Sequence, residues 1–312
     1  MVSLTSVLRD DPGNRVSSST TGIDGRKLLP PNQQPLDHES DDLVALYAQR
    51  LGLSLPTGPS LENLAILQQA HMRTIPFENI DVFLGLGVSL DSDRLAEKLL
   101  VRRRGGYCFE LNLLYAQLLE ALGYDISLHL GRVWLRNPST VPMRNHACLT
   151  VEIDRNRFLT DVGFGARAPR QPLSLMSDEP VDDGDGLVRL TDRNGEKLVQ
   201  RMIEGQWADQ YSFETVPAYR SDIEAANFYM SQSPSSHFRN DLFVGLFTEK
   251  GRLGMWNDQF TGSEGDERSS SRVHGFREWT DLLLDPFGIE LDLHAAQARR
   301  IAKALGNSIG EK

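Results

Sequence analysis

The sequence predicts an α+β protein, with a helical bundle over residues 40–124, an all-β stretch over 125–220 and a mixed segment over 221–312. Three observations lead there. Apolar residues recur at helical spacing in four segments between Ser40 and Tyr124. After Asp125 the period changes to two, with turn signals such as Asn194–Gly195 between the runs. At 312 residues the chain exceeds what one core usually serves, so two or three domains are expected.

Residues 1–39 are rich in Ser, Thr, Asp, Asn, Pro and Gly and read as a disordered or loosely attached arm. From Ser40, "SDDLVALYAQRLG" offers an N-cap, early acids, apolar spacing at Leu43, Leu46, Tyr47 and Leu51, and a closing Gly52. "SLENLAILQQAHMRT" is a second helix, stopped before Pro76, which disfavours helical backbone in the residue ahead of it. "DRLAEKLL" is a third. A fourth starts near Cys108, carries Leu111, Leu114, Tyr115 and Leu118 on one apolar side, and ends at Gly123.

The strands "ISLHLGRVWL", "HACLTVEI" and "RFLTDVGF" follow, the last two joined by "DRNR". "LVRLTD", "EKLVQRMIEG" and "WADQYSFETV" continue the β stretch to about residue 216. The tail holds a helix ("RSDIEAANFYMSQ"), strands ("DLFVGLFTEKGRLGMW"), a polar loop ("TGSEGDERSSS") and a final helix from about Leu291 to Leu305. The sequence shows no internal repeat, metal-type Cys/His cluster or phosphate-loop fingerprint.

Apolar residues make up 40% of the chain and charged residues 24%, an ordinary globular balance. No run approaches the roughly 20 apolar residues of a membrane span. "MVSLTSVLRDDPGNR" does not read as a signal peptide. Two cysteines in so long a chain suggest a reducing compartment, and the cytoplasm is the expected location. The net charge of −10 argues against broad nucleic-acid binding, while a local basic run such as Arg102–Arg104 still suits a small anion.

One of the two cysteines lies in "RRRGGYCFELN". Gly105 and Gly106 permit a tight turn and close backbone approach. A helix beginning at Cys108 points unpaired N–H groups and a partial positive charge at the sulfur, which favours thiolate over thiol. The competing reading is a packed small hydrophobe. A cysteine nucleophile needs a histidine base, and the base an orienting acid. Of seven histidines, His38 lies in the arm, His71 and His294 on helices, His129 in an apolar strand, and His237 and His274 in the tail. His146 opens "HACLTVEI", and Asp161 stands in the next strand before Gly-Phe-Gly. If Arg155 and Asn156 form the turn, Asp161 pairs with Thr150, about 13 Å along the strand from His146. Twist, a bulge or a different turn has to close that gap.

"RGGYCFELN", "HACLTV" and "TDVGFG", with "IPFENI" upstream, closely resemble the arylamine N-acetyltransferases. The resemblance covers residues 40–312 and is strongest over 75–166. It implies a helical bundle supplying the cysteine, an antiparallel β-barrel supplying histidine and aspartate, and an α/β lid, around a cysteine-protease-like core. It implies the triad Cys108, His146 and Asp161, and ping-pong transfer from acetyl-coenzyme A to arylamines, arylhydrazines and N-arylhydroxylamines, as in xenobiotic metabolism. Partners are then coenzyme A and a small aromatic amine or hydrazine, with no metal, nucleic acid or membrane, in a monomer or homodimer. Phe77 and Phe164 resemble acceptor-pocket positions, whose bland reading is core packing. Gly163 and Gly165 would let backbone approach a ligand, Gly165 on the coenzyme side. Trp134, Phe238 and Phe243 are candidates to touch coenzyme A. Arg104 and Glu110 read as structural or orienting, and Cys148 as a packed thiol. Rival readings keep the triad: an amide synthase closing a macrolactam from a polyketide thioester, or a cysteine hydrolase or transglutaminase-like enzyme. A catalytically silent binding module is the reading from another class.

Overall fold

The computed structural model describes residues 40–265 and 267–306, so the expected arm lies outside the described residues. Four helices and two short additions form the first part: α1 (Ser40–Leu51), α2 (Leu61–Thr74), β1 (Phe77–Glu78), α3 (Ile80–Leu84), α4 (Ser92–Ala96) and α5 (Cys108–Ala121). Ser60 caps α2 by accepting from the Asn63 N–H at 3.1 Å. The segment expected as one helix over 93–100 is α4 followed by a π-helical turn, Glu97–Val101. The short α3 carries too few turns to leave a periodic signal. Helix α5 differs from the one-sided helix expected. Every residue from Cys108 to Leu119 is buried, including Glu110, Asn112 and Gln117.

Eight antiparallel strands come next: β2 (Asp125–Val133), β3 (Arg144–Ile153), β4 (Asn156–Thr160), β5 (Leu173–Ser174), β6 (Val181–Asp182), β7 (Leu187–Arg193), β8 (Glu196–Ile203) and β9 (Gln206–Phe213). Their order is β5-β4-β3-β2-β9-β8-β7-β6, and the sheet curls until β5 lies beside β7. Cys148, Leu159, Val199 and Tyr211 fill the space it encloses. The β3–β4 turn falls one residue earlier than expected. Asp154 and Arg155 take left-handed backbone (φ 51 and 64), so Ile153 pairs with Asn156 and Leu149 with Thr160. Extending that register by one pair sets Asp161 against Cys148, not Thr150. The offset from His146 shrinks to two residues, about 7 Å, which two side chains can span.

The last part comprises α6 (Arg220–Gln232), β10 (Phe243–Phe247), β11 (Gly251–Trp256), β12 (Gln259–Glu264), β13 (Glu267–Arg272), α7 (Phe276–Leu284) and α8 (Ala295–Ala304). Its antiparallel sheet runs β1-β10-β11-β12-β13, so a strand from the helical segment forms one edge. Of "TGSEGDERSSS", expected as a loop, residues 261–264 lie in β12 and 267–271 in β13. Its Ser, Gly and Thr residues lack the apolar alternation that marks a strand, and pairing with β11 makes it one. The final helix begins at Ala295, later than expected, with His294 as its N-cap rather than within it. Val244 and Met255 pack with Trp279, Leu283 and Ile301 in a core between this sheet and α7 and α8. Among the described residues, no helix is long and apolar enough to cross a membrane.

Candidate active site

The backbone delivers Cys108 to the first position of α5 through two glycines that admit no side chain. A Cβ at Gly105 would lie 2.2 Å from the Pro76 carbonyl oxygen, and one at Gly106 would lie 2.8 Å from Glu110 Cβ. Glu110, in the first turn, accepts from the Tyr107 N–H at 3.1 Å and so satisfies a backbone donor at the helix start. Lys98, presented by the π-helical turn, pairs with Glu110 at 2.7 Å and Asp81 at 2.8 Å. Burial pushes the Lys98 pKa down, but the charges of Glu110, Glu78 and Asp81 outweigh it and hold it above its ordinary value. Arg104 bonds Glu78 at 2.6 Å and Asp81 at 3.0 Å. Arg102 and Arg103 are exposed, so the basic run braces the turn through Arg104.

The Cys108 sulfur lies 3.8 Å from the carbonyl oxygen of Asn145, beside β3 and one residue before His146. His146 is buried, and its Nε2 is 2.7 Å from Asp161 Oδ2, which leaves Nδ1 for the sulfur. Burial alone would lower the His146 pKa. The Asp161 charge and hydrogen bond, then the hydrogen bond with Cys108, overcome it and raise the pKa to about 10. Asp161 shows the reverse balance: burial pushes up, but His146, Asn112 and the Gly163 N–H hold it below its usual value. An imidazolium therefore sits between the Asp161 carboxylate and the Cys108 sulfur at neutral pH, an arrangement suited to nucleophilic attack by sulfur and to proton exchange at Nδ1.

Two supporting residues escaped the sequence reading. Asn112, one turn after Cys108, donates to Asp161 Oδ1 (2.9 Å) and the Ala147 carbonyl (2.7 Å), and accepts from the Val162 N–H (3.1 Å). Its signal was an amide within the apolar run "FELNLLY". Tyr211 packs edge-on against His146 with ring centroids 4.6 Å apart. Nothing in its strand's alternation distinguished it from core.

Phe164 joins the first group, with its ring edge-on to His146 at 4.8 Å. Gly163 packs tightly on the nucleophile's helix: a Cβ there would lie 2.4 Å from Asn112 Nδ2 and 2.8 Å from Cys108 Cα. A second group adjoins it. Gly165 (φ 60) lies over the Phe77 ring, Phe77 contacts Phe238 at 6.0 Å, and Phe238 contacts Phe243 at 5.7 Å. Trp134 is held by its Nε1, which donates to Ser212 Oγ at 2.8 Å, with Arg193 4.2 Å over its ring. Cys148 is fully buried, and burial followed by the Asp161 charge pushes its thiol well up. His71 and His129 are also buried, and burial lowers them to about 3 and about 4, so both are neutral core groups. Among the described residues, no group of three or more His, Cys, Asp and Glu side chains could hold a metal ion.

A family model described as N-acetyltransferase matches residues 60–296. The arylamine N-acetyltransferase of Escherichia coli is 34% identical over 79% of this chain and 88% of its own length. That of Mycolicibacterium smegmatis is 33% identical over 83% and 97%. Among solved structures, the enzyme from Salmonella typhimurium superposes with a TM-score of 0.79 at 32% identity, over 85% of this chain and 98% of that one. The Mycobacterium marinum enzyme in complex with CoA gives 0.80 at 30% identity, over 84% and 99%. With the family model spanning residues 60–296 and relatives at 33–34% identity covering most of both chains, the chain belongs to the arylamine N-acetyltransferase family.

Proposed function

We propose that this enzyme transfers an acetyl group from acetyl-coenzyme A, by way of Cys108, to arylamines, arylhydrazines and N-arylhydroxylamines. The observation that carries the route is the convergence of Cys108, His146 and Asp161, with His146 2.7 Å from Asp161 and the Cys108 sulfur 3.8 Å from the carbonyl of Asn145, the residue before His146. Residues 40–124 carry the nucleophile, 125–220 the base and its acid in a barrel-like sheet, and 221–312 a lid beside the donor. The reducing cytoplasm, where Cys108 stays a free thiol, is the compartment that suits it.

The Cys108 thiolate attacks the thioester carbonyl, the carbon–sulfur bond to coenzyme A breaks, and the leaving sulfur takes the His146 proton. One thioester replaces another, so the step is close to balanced. The Cys108 N–H, without an intrahelical partner as the first residue of α5, is the oxyanion donor. Aromatic amines are weakly basic and reach the site neutral. The amine nitrogen attacks the acetyl-Cys108, passes its proton to neutral His146, and the cysteine thiolate departs. The ion pair is thereby restored. An amide is more stable than a thioester, which drives this half. Asp161 holds the tautomer and stabilises the imidazolium. Asn112 and Gly163 hold Asp161, and Phe77 and Phe164 offer flat apolar walls to the acceptor ring.

The test is incubation with acetyl-coenzyme A and an anilinic acceptor, following coenzyme A release. Release that depends on the acceptor is expected, and Cys108→Ser should reduce it by about three orders of magnitude or more. Release that ignores the acceptor, or survives Cys108→Ser, would refute the route.

A further inference from the structure

The segment 161–170 carries both Asp161 and Phe164, yet its regular structure amounts to one 3-10 turn, Gly165–Arg167. Buried backbone carbonyls need donors. Three side chains from three parts of the chain supply them here. Gln68 of α2 donates through Nε2 to the Pro169 carbonyl at 2.7 Å. Arg201 of β8 donates to the Ala168 carbonyl at 3.2 Å. Arg252 of β11 donates to the Ala166 carbonyl at 3.1 Å. The Arg170 N–H then donates to Asp183 Oδ2 at 2.9 Å.

These anchors are themselves fixed. Gln68 is fully buried, and its Oε1 accepts from Thr160 Oγ1 at 2.7 Å. Arg201 is 2% exposed and meets Asp183 with both terminal nitrogens, at 3.0 and 2.6 Å. Asp185 accepts from Arg252 at 2.6 Å and lies 3.5 Å from Arg201, so one carboxylate joins the β8 and β11 arginines. A bidentate guanidinium–carboxylate pair is geometrically specific, and the carbonyl that shares its guanidinium is placed with it.

What the anchored segment presents is Phe164. Its ring stands edge-on to His146 at 4.8 Å and lies 4.6 Å from the Tyr211 ring. Arg252 grips the backbone two residues further on. Asp161 has separate supports: Thr160 pairs with Leu149 in the sheet, and Asn112 and the Gly163 N–H hold the carboxylate. The three anchors thus bear on the Phe164 end of the segment rather than on the acid. We infer that Gln68, Arg201 and Arg252 are positioning residues of the amine half-reaction: acting through the 166–169 backbone, they hold the Phe164 ring where it walls the acceptor beside His146. The inference rests on the reading of Phe164 as an acceptor wall.

The test separates the two half-reactions with p-nitrophenyl acetate as donor, so that contacts with coenzyme A play no part. Release of p-nitrophenolate reports charging of Cys108, and discharge of the acetyl-enzyme by aniline reports the second half. In Gln68→Met and Arg252→Met, charging should stay within about twofold of wild type, while kcat/KM for aniline should fall about tenfold, mostly through KM. Both Arg252 bonds leave from one nitrogen, Nη1, so Arg252→Lys should recover most of the loss. Arg252 is only partly buried, so its variants keep the test decisive if Gln68→Met does not fold. Amide exchange over 161–170 should quicken in both methionine substitutions. Unchanged aniline kinetics, equal losses in the two halves, or no recovery in Arg252→Lys would each overturn the assignment. If p-nitrophenyl acetate does not charge wild-type Cys108, the transfer reading fails. Amide exchange then still decides the anchoring, which faster exchange in the variants supports and unchanged exchange overturns.

Discussion

Cys108 and Cys148 are both free and both buried, yet their surroundings oppose each other. Cys108 faces an imidazolium, whereas the Cys148 thiol is pushed up by burial and by the nearby Asp161 charge. Iodoacetamide should therefore label Cys108 well before Cys148, and equal rates in peptide mapping would contradict an activated sulfur. The pH dependence follows from His146. With its pKa raised to about 10, it stays protonated through neutral pH and sets a positive charge beside the Cys108 sulfur. Asp161→Asn removes the charge that outweighs burial, so His146 becomes neutral at pH 7. The alkylation rate there should fall about tenfold or more and climb with pH. The same shift bears on stability. The His146 contribution is complete below its usual 6.5 and is lost as pH rises through about 10. That of Asp161 is present above its usual 3.8 and is lost as pH falls through its lower folded value.

Helix α5 shows what an element adds to its residues. Its start is fixed by Glu110, and Glu110 by Lys98 at 2.7 Å, with side-chain exposures of only 4% and 16%. Removing one partner of such a pair leaves an uncompensated charge, so Lys98→Met should cost about 3 kcal/mol or more in urea unfolding, with Lys98→Arg recovering part. This dependence was hidden in the sequence. The glycines, the thiol and the helix start were legible because each acts locally. The π-helical turn that aims Lys98 across 12 residues obeys no short-range pattern. The β3–β4 hairpin was legible as two strands, but its register turned on whether Asp154 or Asn156 entered the turn, a choice "DRNR" does not make. Once Asp154 and Arg155 form it, His146 and Asp161 come within reach. The β12–β13 hairpin was missed because its pairing partner, rather than its own side chains, defines it.

At the scale of the whole molecule, distant segments meet at one amide. Asn79 donates to the carbonyls of Phe238 (2.9 Å) and Asp241 (2.8 Å) and accepts from the Phe243 N–H (2.7 Å), tying the helical segment to the C-terminal sheet beside β1. Asn79→Ala should cost about 2–4 kcal/mol and raise KM for acetyl-coenzyme A more than it lowers kcat, as steady-state kinetics and denaturant melts would reveal. The enclosure these segments build has a temporal consequence. Cys108 is only 3% exposed, at the head of a helix buried around its whole first half. Bulk solvent is thus a poor competitor for the acyl group, and the loaded protein should wait for its amine with little hydrolytic leakage. Intact-mass spectra after removal of the donor should show the acetylated species lasting many turnover times, then discharging at once when aniline is added.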